Sequence, residues 1–275
     1  MHDPYAWPLD FESLVFVPAL AVGYVLLVRR YGASRLQVTC FSAGLALILA
    51  VFVTPLHPIA LHYLLSIHLL QNVVLAEWAP ALCVLGLPAA MPVPRRLTNP
   101  FVALPLWAGT YFAWHVPAIY DAALRHQESL LHLEHISYFA TGLLFWWPAL
   151  KDEPHRIPSG ARAIYLFAAF VIMSPLGLLL ALIPRPVYDY YVAVPHRLWG
   201  LSPLTDQQIG GSAMALEQSA LLFAVGAWHF LRFLRIGGIR KTSCNCRNTS
   251  PNCTRTTIAT AIRTWAPTTS CITRG

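Results

Sequence analysis

Histidine is the residue type whose placement says most about chemistry in this chain. Of eleven histidines, nine fall in loops or at the ends of hydrophobic stretches on one side of the pattern, the side poor in Lys and Arg. They are His2, His57, His62, His68, His115, His126, His132, His135 and His196. Imidazole is the commonest metal ligand and titrates near neutral pH. An ionisable group inside an apolar span is costly and is read as functional by default. A one-sided layer of imidazoles therefore points to a metal or proton site near one membrane surface.

Several stretches feed that layer. His57-Pro58-Ile59-Ala60-Leu61-His62 leads into Ser66-Ile67-His68-Leu69-Leu70-Gln71-Asn72. At 1.5 Å of rise per residue, His68 lies roughly 10 Å inward from Leu61, and Gln71 and Asn72 at i+3 and i+4 share its face. Such a polar stripe serves equally as interhelical hydrogen-bonding glue. Further on, Trp114-His115-Val116-Pro117 closes one span, and His132-Leu133-Glu134-His135 opens the next. His132 and His135, at i and i+3, lie on one helix face, the spacing that presents two ligands to one ion. Glu134 points about 100° away, towards a neighbouring helix or behind a ligating imidazole, where carboxylates commonly orient the ring. The spacing rules out an H-x-x-E-H metalloprotease motif. The last span opens at Leu204-Thr205-Asp206-Gln207-Gln208, with Met214 two turns on. Asp206 reads either as a helix N-cap or as a group near the site; Met214 reads as core packing or as a thioether ligand for Cu(I). Glu77 and Glu217 lie deeper and are expected to face the bundle interior.

The elements that position these residues are membrane helices. The chain is 56% hydrophobic and 11% charged, with a mean hydropathy of +0.53, where soluble domains carry roughly 25% charge. Runs of about 20 apolar residues, long enough to cross a hydrocarbon core of about 30 Å, place seven spans near 11–28, 36–54, 61–87, 100–119, 130–150, 162–183 and 207–234. The expected fold is all-α, a polytopic bundle of seven transmembrane helices over 1–240, followed by a tail over 241–275. No positive segment precedes the first span, so no cleavable signal is expected. Alternating the loops puts Arg29, Arg30, Arg35, Arg95, Arg96, Lys151, Arg156, Arg162, Arg232, Arg235, Arg240 and Lys241 on one side, and only Arg125, Arg185 and Arg197 on the other. Basic residues favour the cytoplasmic side. The N-terminus, with Asp3, Asp10 and Glu12, is thus expected outside and the C-terminus in the cytoplasm. The basic loops are topology signals and call for no nucleic acid. Pro55 and Pro58 are expected to hold His57 in a turn. The long outer loop 184–205, with Tyr188, Tyr190, Tyr191 and Trp199, is expected along the surface, and Trp78, Trp107, Trp114, Trp146 and Trp147 as interfacial anchors.

Over residues 10–235 the chain resembles the seven-helix CtaG type of cytochrome c oxidase assembly factor. The resemblance rests on Ser66–Gln71, Ala79-Pro80-Ala81-Leu82, Leu85-Gly86-Leu87-Pro88, Trp114–Asp121, His132–His135, Phe145-Trp146-Trp147-Pro148 and Trp199–Gln208 taken together. It implies a multi-pass protein of the bacterial cytoplasmic membrane that helps mature haem–copper oxidases by handling copper. Oxidase subunits, and other copper chaperones, would be its partners. His68, His115, His132 and His135 would hold or pass the metal, Asp206 and Glu134 would orient or balance charge, and His62 and Met214 complete the candidate set. The family usually carries a second histidine four residues after the first in the third span; here Asn72 stands there.

Three other readings stay open: a b-type haem protein with two axial histidines, a metal-dependent membrane enzyme, for which no nucleophile or cofactor motif speaks, and a transporter. From Lys241 the composition turns to Thr, Ser, Arg, Asn and Cys, with Cys244, Cys246, Cys253 and Cys271. This segment reads as a disordered tail, a stretch in an altered reading frame, or a thiolate site for Cu(I). Cys40 and Cys83 are expected as ordinary residues of the spans.

Overall fold

The computed structural model of the protein describes residues 3–245, with side chains to Arg235. The tail beyond Asn245, with Cys246, Cys253 and Cys271, lies outside the described residues, as do the Cys244 side chain and His2. Met1–Phe233 is one compact unit. Every regular element among the described residues is helical. Among the described residues, five helices are long and apolar enough to cross a membrane: Glu12–Tyr31, Arg35–Val53, Leu65–Gly86, Ser159–Leu182 and Pro203–Arg235.

The ends of these helices follow local chemistry. A π-helical segment, Glu12–Phe16, runs into α1 (Val17–Tyr31), which stops at Gly32 in the left-handed region at φ 72°. A capping box between Ser34 and Gln37 starts α2 (Arg35–Val53), each side chain satisfying the other's backbone N–H. The expected third span, 61–87, is found as one helix from Leu65 to Gly86, preceded by a separate helical stretch. α3 (Leu56–His62) is a separate short helix, so His57 sits in its first turn; Pro55 caps it and Pro58 falls where a missing N–H costs nothing. The chain re-enters as α4 (Leu65–Val73), widens into a π-helical segment at Val74–Trp78, and continues as α5 (Ala79–Gly86).

The expected fourth and fifth spans differ in another way. α6 (Pro100–Trp114) has 15 residues, roughly 22 Å, and breaks before Pro117, which disfavours helix at the preceding residue. A second helix, α7 (Pro117–Arg125), then occupies what reads as loop. A third π-helical segment, Gln127–Leu131, leads into α8 (His132–Leu150), whose first half is polar. α9 (Ser159–Leu182), the short α10 (Asp189–Val192) and α11 (Pro203–Asn245) follow.

Small residues set the packing. Gly86 abuts Phe41, and Gly177 and Gly211 let α9 and α11 touch backbone to backbone: a Cβ on Gly211 would lie 2.7 Å from Ala181 N. Three tryptophans expected at the interface, Trp107, Trp146 and Trp147, are instead core. Trp107 and Trp146 are fully buried; Trp107 stacks on Phe145 at 4.0 Å and donates its indole N–H to Ala76 O at 3.3 Å. A wide aromatic ring buries much area; the Trp107 N–H is satisfied, whereas Trp146 Nε1 is buried without a hydrogen-bond partner.

The 184–205 loop also departs from expectation. Tyr188 and Tyr191 are 1% and 2% exposed and reach into the bundle, while Trp199 stays exposed. Asp121 holds the loop's turn by accepting the N–H groups of Asp189 and Tyr190.

Candidate metal centre

The first turn of the first long helix meets the first turn of α8. Glu12, 2% exposed, accepts from His132 Nδ1 at 2.7 Å and from His135 Nδ1 at 2.8 Å with one oxygen, Oε1. The i, i+3 spacing lets both rings reach one carboxylate. Together these residues can offer three ligand atoms within 4.8 Å of one another. Phe11 packs on His132 and Phe52 on His135, at 4.8 and 5.0 Å between ring centres, fixing the ring planes.

Two residues before Glu12, Asp10 engages a third histidine. Its Oδ2 is 2.6 Å from His57 Nε2, and the other ring nitrogen lies 3.1 Å from the Gln71 amide, which also donates to Val51 O. One short segment, Asp10–Glu12, thus supplies carboxylates to histidines on α3 and α8.

Deeper, the hydrogen-bond partners settle which ring nitrogen carries the proton. Tyr191, whose phenol burial pushes well above the usual range, donates to Ala60 O at 2.6 Å. With its proton committed there, its oxygen accepts from His68 Nδ1 at 3.0 Å. His68 Nε2 is then the lone-pair nitrogen; it is buried without a hydrogen bond, 3.9 Å from Glu134 Oε1. His115 repeats the pattern: Nδ1 donates to Tyr111 O at 2.9 Å and Nε2 is buried and unpartnered. On His135, Nδ1 faces Glu12 and Nε2 is again unpartnered. An imidazole anchored through one N–H to a carboxylate or carbonyl, with its other nitrogen bare, is the arrangement of metal-ligating histidines.

The sequence-nominated residues therefore separate. His132 and His135 share Glu12. His68 and Glu134 face each other, with Asn72 Nδ2 donating to Glu134 Oε1 at 3.0 Å. His115 sits among Tyr111, Tyr120, Tyr138 and Tyr188. His62 lines a pocket with Tyr63, Arg125, Tyr190 and His196. Met214 is buried in the apolar core. Asp206 lies inside the first turn of its own helix, which Ser202 caps through Thr205 N, and its carboxylate reaches α4 instead.

Glu12, Asp10 and Tyr191 join the cluster although the sequence singled them out only for orientation or surface placement. The signal for Glu12 was present, since an acid at the mouth of an apolar span needs a partner.

Two imidazoles and one carboxylate suit copper or zinc better than a hard ion, and the unpartnered His135 Nε2 and Glu12 Oε2 leave donor capacity unspent. The family model for cytochrome c oxidase caa3 assembly factors matches residues 20–236. No curated protein and no solved structure matches the chain.

Proposed function

Since the chain belongs to the cytochrome c oxidase caa3 assembly factor family, we propose that it serves oxidase maturation by holding copper and passing it on. In this reading the bundle crosses the bacterial cytoplasmic membrane seven times, with Asp10 and Glu12 outside and the C-terminus inside. The protein turns over no substrate; copper is its cargo, and oxidase subunits are its partners, with other copper chaperones as donors.

One observation carries the reading: Glu12, His132 and His135 converge within ligand distance in a chain of this family. The bare Nε2 atoms of His68 and His115 supply further imidazoles along an inward route. Elemental analysis with an optical spectrum tests it, on detergent-purified full chain and on chain truncated after Arg240. Copper at up to one per chain in both, lost in His132→Ala/His135→Ala, is the expected result. Metal-free protein that takes up no added copper, or a Soret band lost with those histidines, would overturn it.

A further inference from the structure

Apart from the histidine cluster, the bundle holds a second pair of acids that copper handling does not use, Glu77 buried and Glu217 half-buried. Glu77 lies in the π-helical segment Val74–Trp78 and is fully buried. Its Oε1 accepts from the Tyr111 hydroxyl at 2.9 Å and from the Gln218 amide at 2.7 Å. The neighbouring Trp78 indole N–H donates in turn to Glu217, the residue before Gln218. Two adjacent pairs, Glu77-Trp78 and Glu217-Gln218, are thus cross-linked, which keeps both carboxylates where α11 passes the π-helical segment. Each acid retains one oxygen, Oε2, that is buried and has no hydrogen-bond partner. Glu77 falls about 18 Å along the Leu65–Gly86 helix, near the middle of a hydrocarbon core of about 30 Å.

The charge balance is the informative part. The three donors are a phenol, a carboxamide and an indole, all neutral. Among the described residues, no Lys, Arg or His forms an ion pair with either acid. On the adjacent residue, the Ala76 backbone packs against Gly142 of α8. A buried carboxylate needs a compensating charge, and two near one another need it more. π-helical turns within α-helices recur at functional sites, and an ionisable residue inside a span marks an ion or proton path by default.

We infer that Glu77 and Glu217 form an intramembrane cation site, distinct in its residues from the histidine cluster, at which a proton or a metal ion supplies the positive charge that no side chain provides. The two Oε2 atoms are its ligands. An all-oxygen pair selects a proton or a hard ion over Cu(I), so the site is set up to exchange cations with different chemistry from the copper cargo.

Infrared spectroscopy of the purified full chain in H2O and D2O, together with Mn2+ binding followed by paramagnetic resonance, tests this. With a proton as occupant, the native chain at neutral pH has a carboxylic-acid C=O band that shifts in D2O, disappears on alkalinisation and loses intensity in Glu77→Gln/Glu217→Gln. Glu134→Gln leaves that component in place. With a metal ion as occupant, bound Mn2+ is lost in the same double variant and kept in His132→Ala/His135→Ala. The single Gln variants retain an acceptor oxygen for Tyr111 and Trp78, and the alkaline titration needs no variant. A native chain with neither an acid band nor bound Mn2+, or a double variant indistinguishable from it in both, would overturn the inference.

Discussion

The Asp206 carboxylate accepts the backbone N–H groups of Leu65 and Ser66 at 2.8 and 3.1 Å. An acid on α11 thus caps the first turn of α4, where exposed N–H groups and the helix dipole favour negative charge. Gly210, one turn along, lets α11 approach Ser66 closely: a Cβ there would meet Ser66 Cα at 2.8 Å. The start of the helix that carries His68 is therefore positioned from the other end of the sequence.

Asp206→Ala leaves one buried and one part-buried N–H unpaired and is expected to destabilise the bundle by about 1.5–3 kcal/mol, the cost of losing charge-assisted bonds. Asp206→Asn keeps one acceptor and costs less. Copper per folded chain should be unchanged in both, read by thermal melting in detergent alongside metal content. Copper loss without loss of stability would restore Asp206 to the ligand set.

Glu12→Gln preserves the shape of the carboxylate and removes its charge. Copper affinity is expected to fall at least tenfold, equivalent to about 1.4 kcal/mol, and His135→Ala to lose more. Competition with a calibrated chelator gives both numbers. Equal affinity in Glu12→Gln and the native chain would show that the carboxylate only orients the rings.

The Asn72 amide donates to Glu134. Asn72→Leu strands that buried acid, and a loss of about 1–3 kcal/mol in stability is expected. Asn72→His instead introduces an imidazole one turn from His68, on the same helix face. Copper retained against a chelator should increase in the histidine variant; no gain would mean that the bare His68 Nε2 does not take metal.

Two glycines make a controlled comparison. A Cβ on Gly177 would lie 2.9 Å from Ala215 N and 3.0 Å from Gly211 O, both backbone atoms, whereas a Cβ on Gly109 meets nothing within 4 Å. Gly177→Ala is expected to cost about 1–3 kcal/mol through forced separation of α9 and α11. Gly109→Ala should be neutral or stabilising by up to about 1 kcal/mol from helix propensity. Melting curves of the two variants side by side decide it.

The helical class was legible because apolar length alone encodes it, and the i, i+3 placement of His132 and His135 is a property of one helix. What joins distant segments was not. Glu12 meets its histidines across 120 and 123 residues, and no local spacing announces such a contact. Trp107 and Trp146 resemble interfacial anchors by type; only the neighbouring Phe145 ring shows why they belong inside. Tyr191 sits in a loop that reads as surface, yet two hydrogen bonds draw its hydroxyl inward. The break after Trp114 was written in Pro117, but the helix that follows it was not.

The wide turn at Val74–Trp78 acts as a phase shift. Each residue of an α-helix advances the side-chain direction by about 100°, and a π turn holds one residue more than an α turn. Upstream of it, His68 and Asn72 address Tyr191 and Glu134; downstream, Ala79 and Cys83 meet Gly44 of α2. A regular helix could not satisfy both contacts with this number of residues. Straightening the turn into regular α-helix with all its residues kept would rotate the upstream half against the downstream half by about a quarter-turn or more. The polar face would then swing off its partners while length and hydrophobicity stayed almost the same.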